Sequence, residues 1–240
     1  IIPALDLPAA LTFELAKVEC PKIRERIVGH LRHIDAELAQ QVADNLGMEK
    51  LPDPPKAARE TRRDLPQSAA LSILKNVPKT FEGRTLGVYI NNGACSDIFE
   101  ALQKELKAKG ANMKVIAPKV GGAKLSDGKH VDADEQIDGA PSVVFDAIAV
   151  VLGKEESEVL VDNKVSLDFI SDAYAQCKYI GYNKAAEKVL AAAGVKEDKR
   201  DEATIALSDA SSVKKFVGEL ENLRFWAREE KVLKKTCSRL

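Results

Sequence analysis

The chain has 240 residues, 45% of them hydrophobic and 30% charged, with 36 Lys+Arg against 37 Asp+Glu and a formal net charge of −1. This is the composition of an ordinary globular protein, long enough for one large α/β domain or a medium domain with an extension. It excludes a disordered chain and a nucleic-acid-coating surface, and no run of about 18 apolar residues offers a membrane span.

The chain begins at Ile1 with no basic segment ahead of an apolar one, so it reads as an internal or processed piece whose start carries no address. Cys20, Cys95, Cys177 and Cys237 are scattered without a CxxC pair, and only His30, His33 and His130 could join them. That spacing argues against structural zinc, and a domain of this size folds without disulfide staples.

Residues 8–47 read as two or three short helices, because apolar positions recur every three or four residues through PAALTFELAKVE, PKIRERIVGHLRHID and AELAQQVADNLG. Pro8 and Pro21 suit first helical turns, and Gly47 suits a stop. Helices this short cannot form a stable domain on one another and need a partner surface. From Lys50 to Gly83 the text carries five prolines and no sustained period, which predicts an extended arm or linker.

From Arg84 the pattern alternates. Strand TLGVYIN (85–91), helix 96–109 and strand NMKVIAP (112–118) form a βαβ unit, which implies a parallel sheet. Asp127-Gly128 marks a two-residue hairpin turn. FDAIAVVLG (145–153) has the apolar run of a strand buried on both faces at the sheet centre. Helix 165–176, strand KYIGYN (178–183), helix 184–194, strand ATIAL (203–207) and an amphipathic closing helix over 211–232, capped by Ser211 or Ser212, complete the series. The fold class is α/β: a flavodoxin-like, doubly wound, mainly parallel sheet with an N-terminal extension of short helices.

Such sheets bind ligands at the carboxyl ends of their strands, here the loops after Asn91, Leu152 and Asn183. The first holds only Gly93, without the GxGxxG or GxxxxGKS spacing that wraps a phosphate. Cys95 stands at the start of the following helix, where a thiol is acidified. It is the one candidate nucleophile, against the reading of a small residue packing a turn, since no histidine lies near it in sequence. Ser96 or Asp97 would cap that helix, with Glu100 bonding back if Asp97 is the cap. GKEESEVL after Leu152 reads as a solvated helix start. Cys177 precedes its strand, the wrong end for a nucleophile elbow. His30 and His33, three apart on a helix, and the isolated His130 read as solvated or satisfied rather than as metal ligands. Arg224, Phe225, Trp226 and Arg228 anchor the last helix, with Phe225 and Trp226 buried and the arginines at the rim, or form a partner-binding hot spot.

The run FELAKVECPKIRERIVGHLRHIDAELAQQVADNLGM resembles the C-terminal helical region of large-subunit haem catalases of the fungal type, and DLPQSAALSI resembles their connector. Residues 84–232, including KLSDGKHVDAD, GAPSVVFDAIAVV and RFWAR, resemble the flavodoxin-like C-terminal domain that sets large-subunit catalases apart from small ones. The resemblance implies a division into helical segment (1–49), connector (50–83) and C-terminal domain (84–240). It implies a parent enzyme whose haem, held by a tyrosine in an R-x-x-x-Y motif, lies in a barrel domain outside this chain. None of Tyr89, Tyr174, Tyr179 and Tyr182 has arginine four residues before it, so no haem and no peroxide disproportionation are expected of this piece.

The C-terminal domain is in turn similar to the ThiJ/PfpI branch of the glutamine amidotransferase-like superfamily. The elbow cysteine of that branch falls at Tyr182–Asn183 and its helix glutamate near Ile98, so neither catalytic residue is present. The resemblance implies a non-catalytic stabilising module, with chaperone-like holding of unfolding clients. The alternative is a thiol enzyme or peroxide sensor using Cys95. The implied partners are the rest of the catalase subunit and its neighbours in a homo-oligomer; parents of this kind are secreted or cytoplasmic.

Overall fold

A computed structural model describes residues 6–62, 64–66 and 68–232; Cys237 lies outside them. The chain divides into two compact units, 1–77 and 78–240, so the division falls inside the segment read as a connector.

In the first unit the periodic runs are helices α1 (Asp6–Ala16), α2 (Pro21–Ile34) and α3 (Ala36–Asn45). Pro21 occupies the first turn of α2, where its missing N–H costs nothing. Asp35, extended at φ −154°, ends α2 and caps α3 by accepting from the Leu38 N–H at 2.9 Å. The helices share a small core of Leu15, Val28, Leu31, Ala39, Val42 and Ala43. The proline-rich stretch begins by lying along α2: Arg32 Nη1 donates to the Pro52 carbonyl at 2.9 Å, and His33 Nε2 lies 2.7 Å from the Pro55 carbonyl oxygen. The stretch is not wholly extended, since it holds a 3-10 turn at Ala69–Leu71 and the short helix α4 (Ile73–Asn76).

The second unit is the sheet. Strands β1 (Thr85–Ile90), β2 (Asn112–Ala117), β5 (Glu135–Gln136), β6 (Ala147–Val151), β7 (Ile180–Tyr182) and β8 (Thr204–Ala206) stand in the order β5-β2-β1-β6-β7-β8. All five pairings are parallel. As expected, β6 lies at the centre, beside β1. The alternation of side chains along each strand separates two apolar layers. Leu86, Val88, Ile90, Ala149 and Val151 pack under α5 (Ser96–Ala108) and α9 (Ala210–Glu219). Tyr89, Ile148, Val150, Ile180 and Tyr182 pack under α7 (Lys164–Ala175) and α8 (Glu187–Ala192). Each fully buried aliphatic side chain contributes roughly 1.5–3 kcal/mol of transfer free energy, so these layers carry the stability of the unit. Among the described residues no helix is long and apolar enough to cross a membrane.

Several local expectations change. The hairpin of β3 (Ala123–Lys124) and β4 (His130–Val131) is closed by a longer turn than two residues. The Leu125 N–H donates to Lys129 O at 2.8 Å, the Gly128 N–H donates to Leu125 O at 3.0 Å, and Gly128 takes φ 88°. That is a tight turn followed by a left-handed residue, the usual three-residue hairpin. The helix start expected after Leu152 is present, as α6 (Lys154–Leu160). β5 joins the sheet edge without any apolar run to announce it.

The closing helix is short. α9 runs Ala210–Glu219, a 3-10 turn follows at Leu220–Asn222, Leu223 at φ 62° breaks the helix, and a second 3-10 turn stands at Trp226–Arg228. Its cap is neither serine expected but Asp209, whose carboxylate accepts from the Ser212 N–H at 2.8 Å while Ser212 Oγ accepts from the Asp209 N–H at 3.0 Å.

Candidate functional site

With β1 and β6 adjacent and the chain winding outward from them in both directions, the switch point of the sheet lies between their carboxyl ends. The loops there grip each other. Asn91, at the end of β1, accepts the Gly153 N–H on Oδ1 at 2.6 Å. Asn92 donates its N–H and its Nδ2 to the two oxygens of Glu156 at 3.1 and 2.7 Å, and its Oδ1 accepts the Lys124 N–H at 2.9 Å. The Gly93 N–H donates to Lys124 O at 2.7 Å. Gly153 is required by close approach: a Cβ there would stand 2.0 Å from Asn92 O and 2.6 Å from Gly93 C. Two donors that a bound phosphate would use are thus taken by the protein's own carboxylate, Glu156, and the others by backbone and side-chain oxygens. This turn is not a phosphate cradle. Asn91 Nδ2 is the one buried side-chain group of this turn without a partner.

The third strand end is occupied in the same manner. Asn183, at the elbow position after β7, accepts the Leu152 N–H on Oδ1 at 3.0 Å and donates Nδ2 to Leu152 O at 2.7 Å. Its φ of −90° and ψ of 168° are relaxed extended values, whereas a nucleophile elbow holds its residue on a strained turn. Ile98, at the helix-glutamate position, is buried with Phe99 and Leu102 in the layer beneath α5.

Cys95 is the residue preceding the first turn of α5, half-exposed, with a thiol that makes no capping bond. The structure replaces the capping expected from Ser96, Asp97 and Glu100. The Ser96 N–H donates to Ser126 Oγ of the hairpin turn at 3.0 Å, the two hydroxyls lie 3.1 Å apart, and Glu100 pairs with Lys129 at 3.2 Å. Among the described residues no base is hydrogen-bonded to the thiol. His30 and His33 belong to the other unit, and His130 sits on the exposed hairpin, 3.3 Å from Asp132. Cys177, buried ahead of β7 at φ 57°, has its thiol pushed up by burial, which makes it inert. Among the described residues no group of three or more His, Cys, Asp or Glu could hold a metal ion.

At the opposite, amino ends of the strands lies a buried polar cluster that hydropathy reading inverts. Arg228 is fully buried. It forms a two-pronged ion pair with Asp201, both contacts at 2.7 Å, donates Nη1 to Lys178 O at 2.7 Å and stacks over the Tyr174 ring at 4.3 Å. Burial pushes the Asp201 carboxyl up, but the Arg228 hydrogen bonds and charge outweigh it and hold it below the usual carboxylate range. Arg224 donates to Asp146 O at 2.9 Å, Phe225 is partly buried, and Trp226 is 44% exposed. Trp226 and Arg228 have thus exchanged their expected places, because the Arg228 fork finds the Asp201 carboxylate inside. Beside it, buried Lys178 places Nζ on the carbonyls of Ser142 and Phe145 at 2.5 and 2.7 Å; burial, then the nearby Arg224 charge, lowers its pKa to about 8. A lone lysine in the apolar run CKYIGY was the sequence signal for this clamp.

The four tyrosines are engaged within the domain. Tyr89 Oη shares a hydrogen bond with Ser166 Oγ at 2.8 Å, and Tyr174 Oη donates to Lys199 O at 2.7 Å. Tyr182 Oη accepts from Arg200 at 3.3 Å, and Tyr179 packs edge-on against Phe225.

Residues 82–230 match the family described as the C-terminal domain found in long catalases, and residues 6–46 match the one described as catalase-related immune-responsive. Catalase C of Rhizobium meliloti (strain 1021) is 47% identical over 93% of this chain and 32% of its own length. Catalase HPII of Pseudomonas putida is 33% identical over 92% of this chain and 30% of its own. Catalase A of Aspergillus fumigatus is 28% identical over 74% and 24%. The chain thus spans a third or less of the length of these relatives.

Proposed function

We propose a role on the premise that this chain belongs to the family of C-terminal domains found in long catalases: it is a non-catalytic module that stabilises a larger enzyme. The longer protein would disproportionate hydrogen peroxide at a haem held in a domain outside this chain. The helical unit and the stretch beyond it would then cover other parts of the subunit and neighbouring subunits of a homo-oligomer. Taken alone, the chain would hold unfolding client proteins, through apolar surface such as Phe13, Ile34 and Leu71 that its own folding leaves exposed.

The observation that supports this reading most is the filled crevice. The strand ends where an open α/β sheet binds ligands are closed by Asn91–Gly153, Asn92–Glu156 and Asn183–Leu152 hydrogen bonds, and the positions matching the ThiJ/PfpI catalytic pair hold Asn183 and Ile98. The fold is kept and its ligand site is spent on cohesion. The thiol reading gains no support, since among the described residues no base or cation is hydrogen-bonded to the Cys95 thiol.

The test is a long catalase with and without the segment equivalent to residues 78–240. The truncated enzyme should keep its activity per haem and lose thermal stability. A loss of activity per haem at temperatures where both are folded would overturn the non-catalytic role.

A further inference from the structure

The amino ends of the strands gather more positive charge than they neutralise, and Asp146, just before β6, is the pivot. Its carboxylate accepts Arg84 Nη1 on Oδ1 and the Thr85 N–H on Oδ2, both at 3.0 Å, and its backbone oxygen accepts Arg224 Nη1 at 2.9 Å. Lys178 is held there by carbonyl oxygens alone. Three cations, Arg84, Lys178 and Arg224, thus surround one carboxylate whose two oxygens are both taken. The other acids of this end are engaged: Asp201 with Arg228, Glu219 with Asn222 at 3.1 Å, Glu221 with Lys109 at 3.9 Å, and Glu229 in an interaction of its own. Asp172 follows Arg224 and Asp146 among the charges that act on Lys178.

Arg224 is the cation left short. Its Nη1 serves the carbonyls of Asp146 and Leu223, while among the described residues Nε and Nη2 donate to nothing and the guanidinium forms no ion pair. Burial lowers its pKa, Asp146 opposes this and the Arg84 charge adds to it, as befits a cation drawn partly out of water without a counter-charge of its own. Nε and Nη2 form one edge of the guanidinium, the edge that takes both oxygens of a carboxylate. Arg228 grips Asp201 with that same edge. Beside it in the chain, Val143 and Val144 of the 3-10 turn before Asp146 are 61% and 63% exposed, and Trp226 is exposed two residues past Arg224.

We infer that this end of the sheet is a docking surface for a protein partner that places an aspartate or glutamate side chain on the open edge of Arg224. The partner carboxylate receives Nε and Nη2 as Asp201 receives those of Arg228, and the exposed valines and tryptophan cover apolar residues next to it. The surplus of cations sets the sign of the partner. It also opposes a second copy presenting the same end, which brings cation to cation. The inference rests on this end of the sheet alone and stands whether or not the stabilising role above is correct.

Trp226, the single tryptophan of the chain, reports on the site. The probe is the blocked peptide Ala-Leu-Glu-Leu-Ala, compared with its glutamine counterpart. Each is titrated into the full chain and followed by tryptophan fluorescence at low salt, and folding of every variant is checked by circular dichroism. The glutamate peptide should bind about tenfold more tightly, because only a carboxylate offers two ionised acceptors to the fork. Arg224→Gln should erase that preference. Val144→Glu, at an exposed position that does not endanger folding, should also erase it by setting the chain's own carboxylate beside Arg224. Equal binding of both peptides, binding of neither, or a preference that survives either change overturns the inference. So does a response to inorganic phosphate as strong as that to the glutamate peptide, which would make this a free-anion site, or self-association that Arg224→Gln abolishes, which would make it a contact between copies.

Discussion

Lys178 is a cation held under apolar strands by two carbonyl oxygens and no carboxylate. Its folded pKa of about 8 lies below the usual lysine value of 10.5, so between these values the unfolded chain binds a proton that the folded chain does not. Stability must then rise with pH across that window, by at most about 3 kcal/mol. Buried tyrosines, whose phenols are pushed up, work in the opposite direction above about pH 10. Urea unfolding at pH 8 and pH 10 should therefore show a gain in the parent chain that Lys178→Met lacks. Arg228 sets a second test. Arg228→Ala leaves Asp201 buried without its partner and should cost about 3–5 kcal/mol, whereas Arg228→Ala combined with Asp201→Ala should cost less than the sum of the two single changes. Lys178 left one trace in the sequence, as a lone lysine in an apolar run, and the role of Arg228 left none. Hydropathy places an arginine outside and a tryptophan inside, and the ion pair that reverses this joins residues 27 apart in the chain.

The elements themselves were legible wherever periodicity was long. α2, α5, α7 and the strands β1, β2 and β6 lie where their apolar spacing put them. The exceptions have physical causes. β5 is two polar residues on the sheet edge, held by backbone pairing to β2 rather than by side-chain burial. The closing helix stops at Glu219 because the chain must turn back so that the Phe225 N–H can reach Cys177 O and Arg228 can reach Asp201, a demand that a continuing amphipathic pattern does not record. The cap of α5 comes from Ser126, thirty residues downstream. The contact between the β1 and β6 loops likewise depends on Gly153, a single glycine. Gly153→Ala forces a Cβ against Asn92 O and should cost at least about 2 kcal/mol, read as a lower urea midpoint with an unchanged slope.

At the scale of the whole molecule, the alternation of strands and helices after Arg84 was enough for the fold class, and the order of segments was enough for the family. The residues at the positions of the ThiJ/PfpI catalytic pair, Ile98 and Tyr182–Asn183, were also readable in the sequence. What fills the crevice was not, because Glu156 and Leu152 reach it from a loop that reads as an ordinary solvated helix start. The proposed holding role rests on a sheet whose strand-end loops bond to one another and on short helices with exposed isoleucines. The direct measurement is heat aggregation of an unrelated labile enzyme, followed by light scattering with equimolar chain, or its Cys95→Ala version, present. Both should suppress aggregation to the same extent. Failure of both would contradict the holding role, and suppression by the parent chain alone would put thiol chemistry at Cys95 in its place.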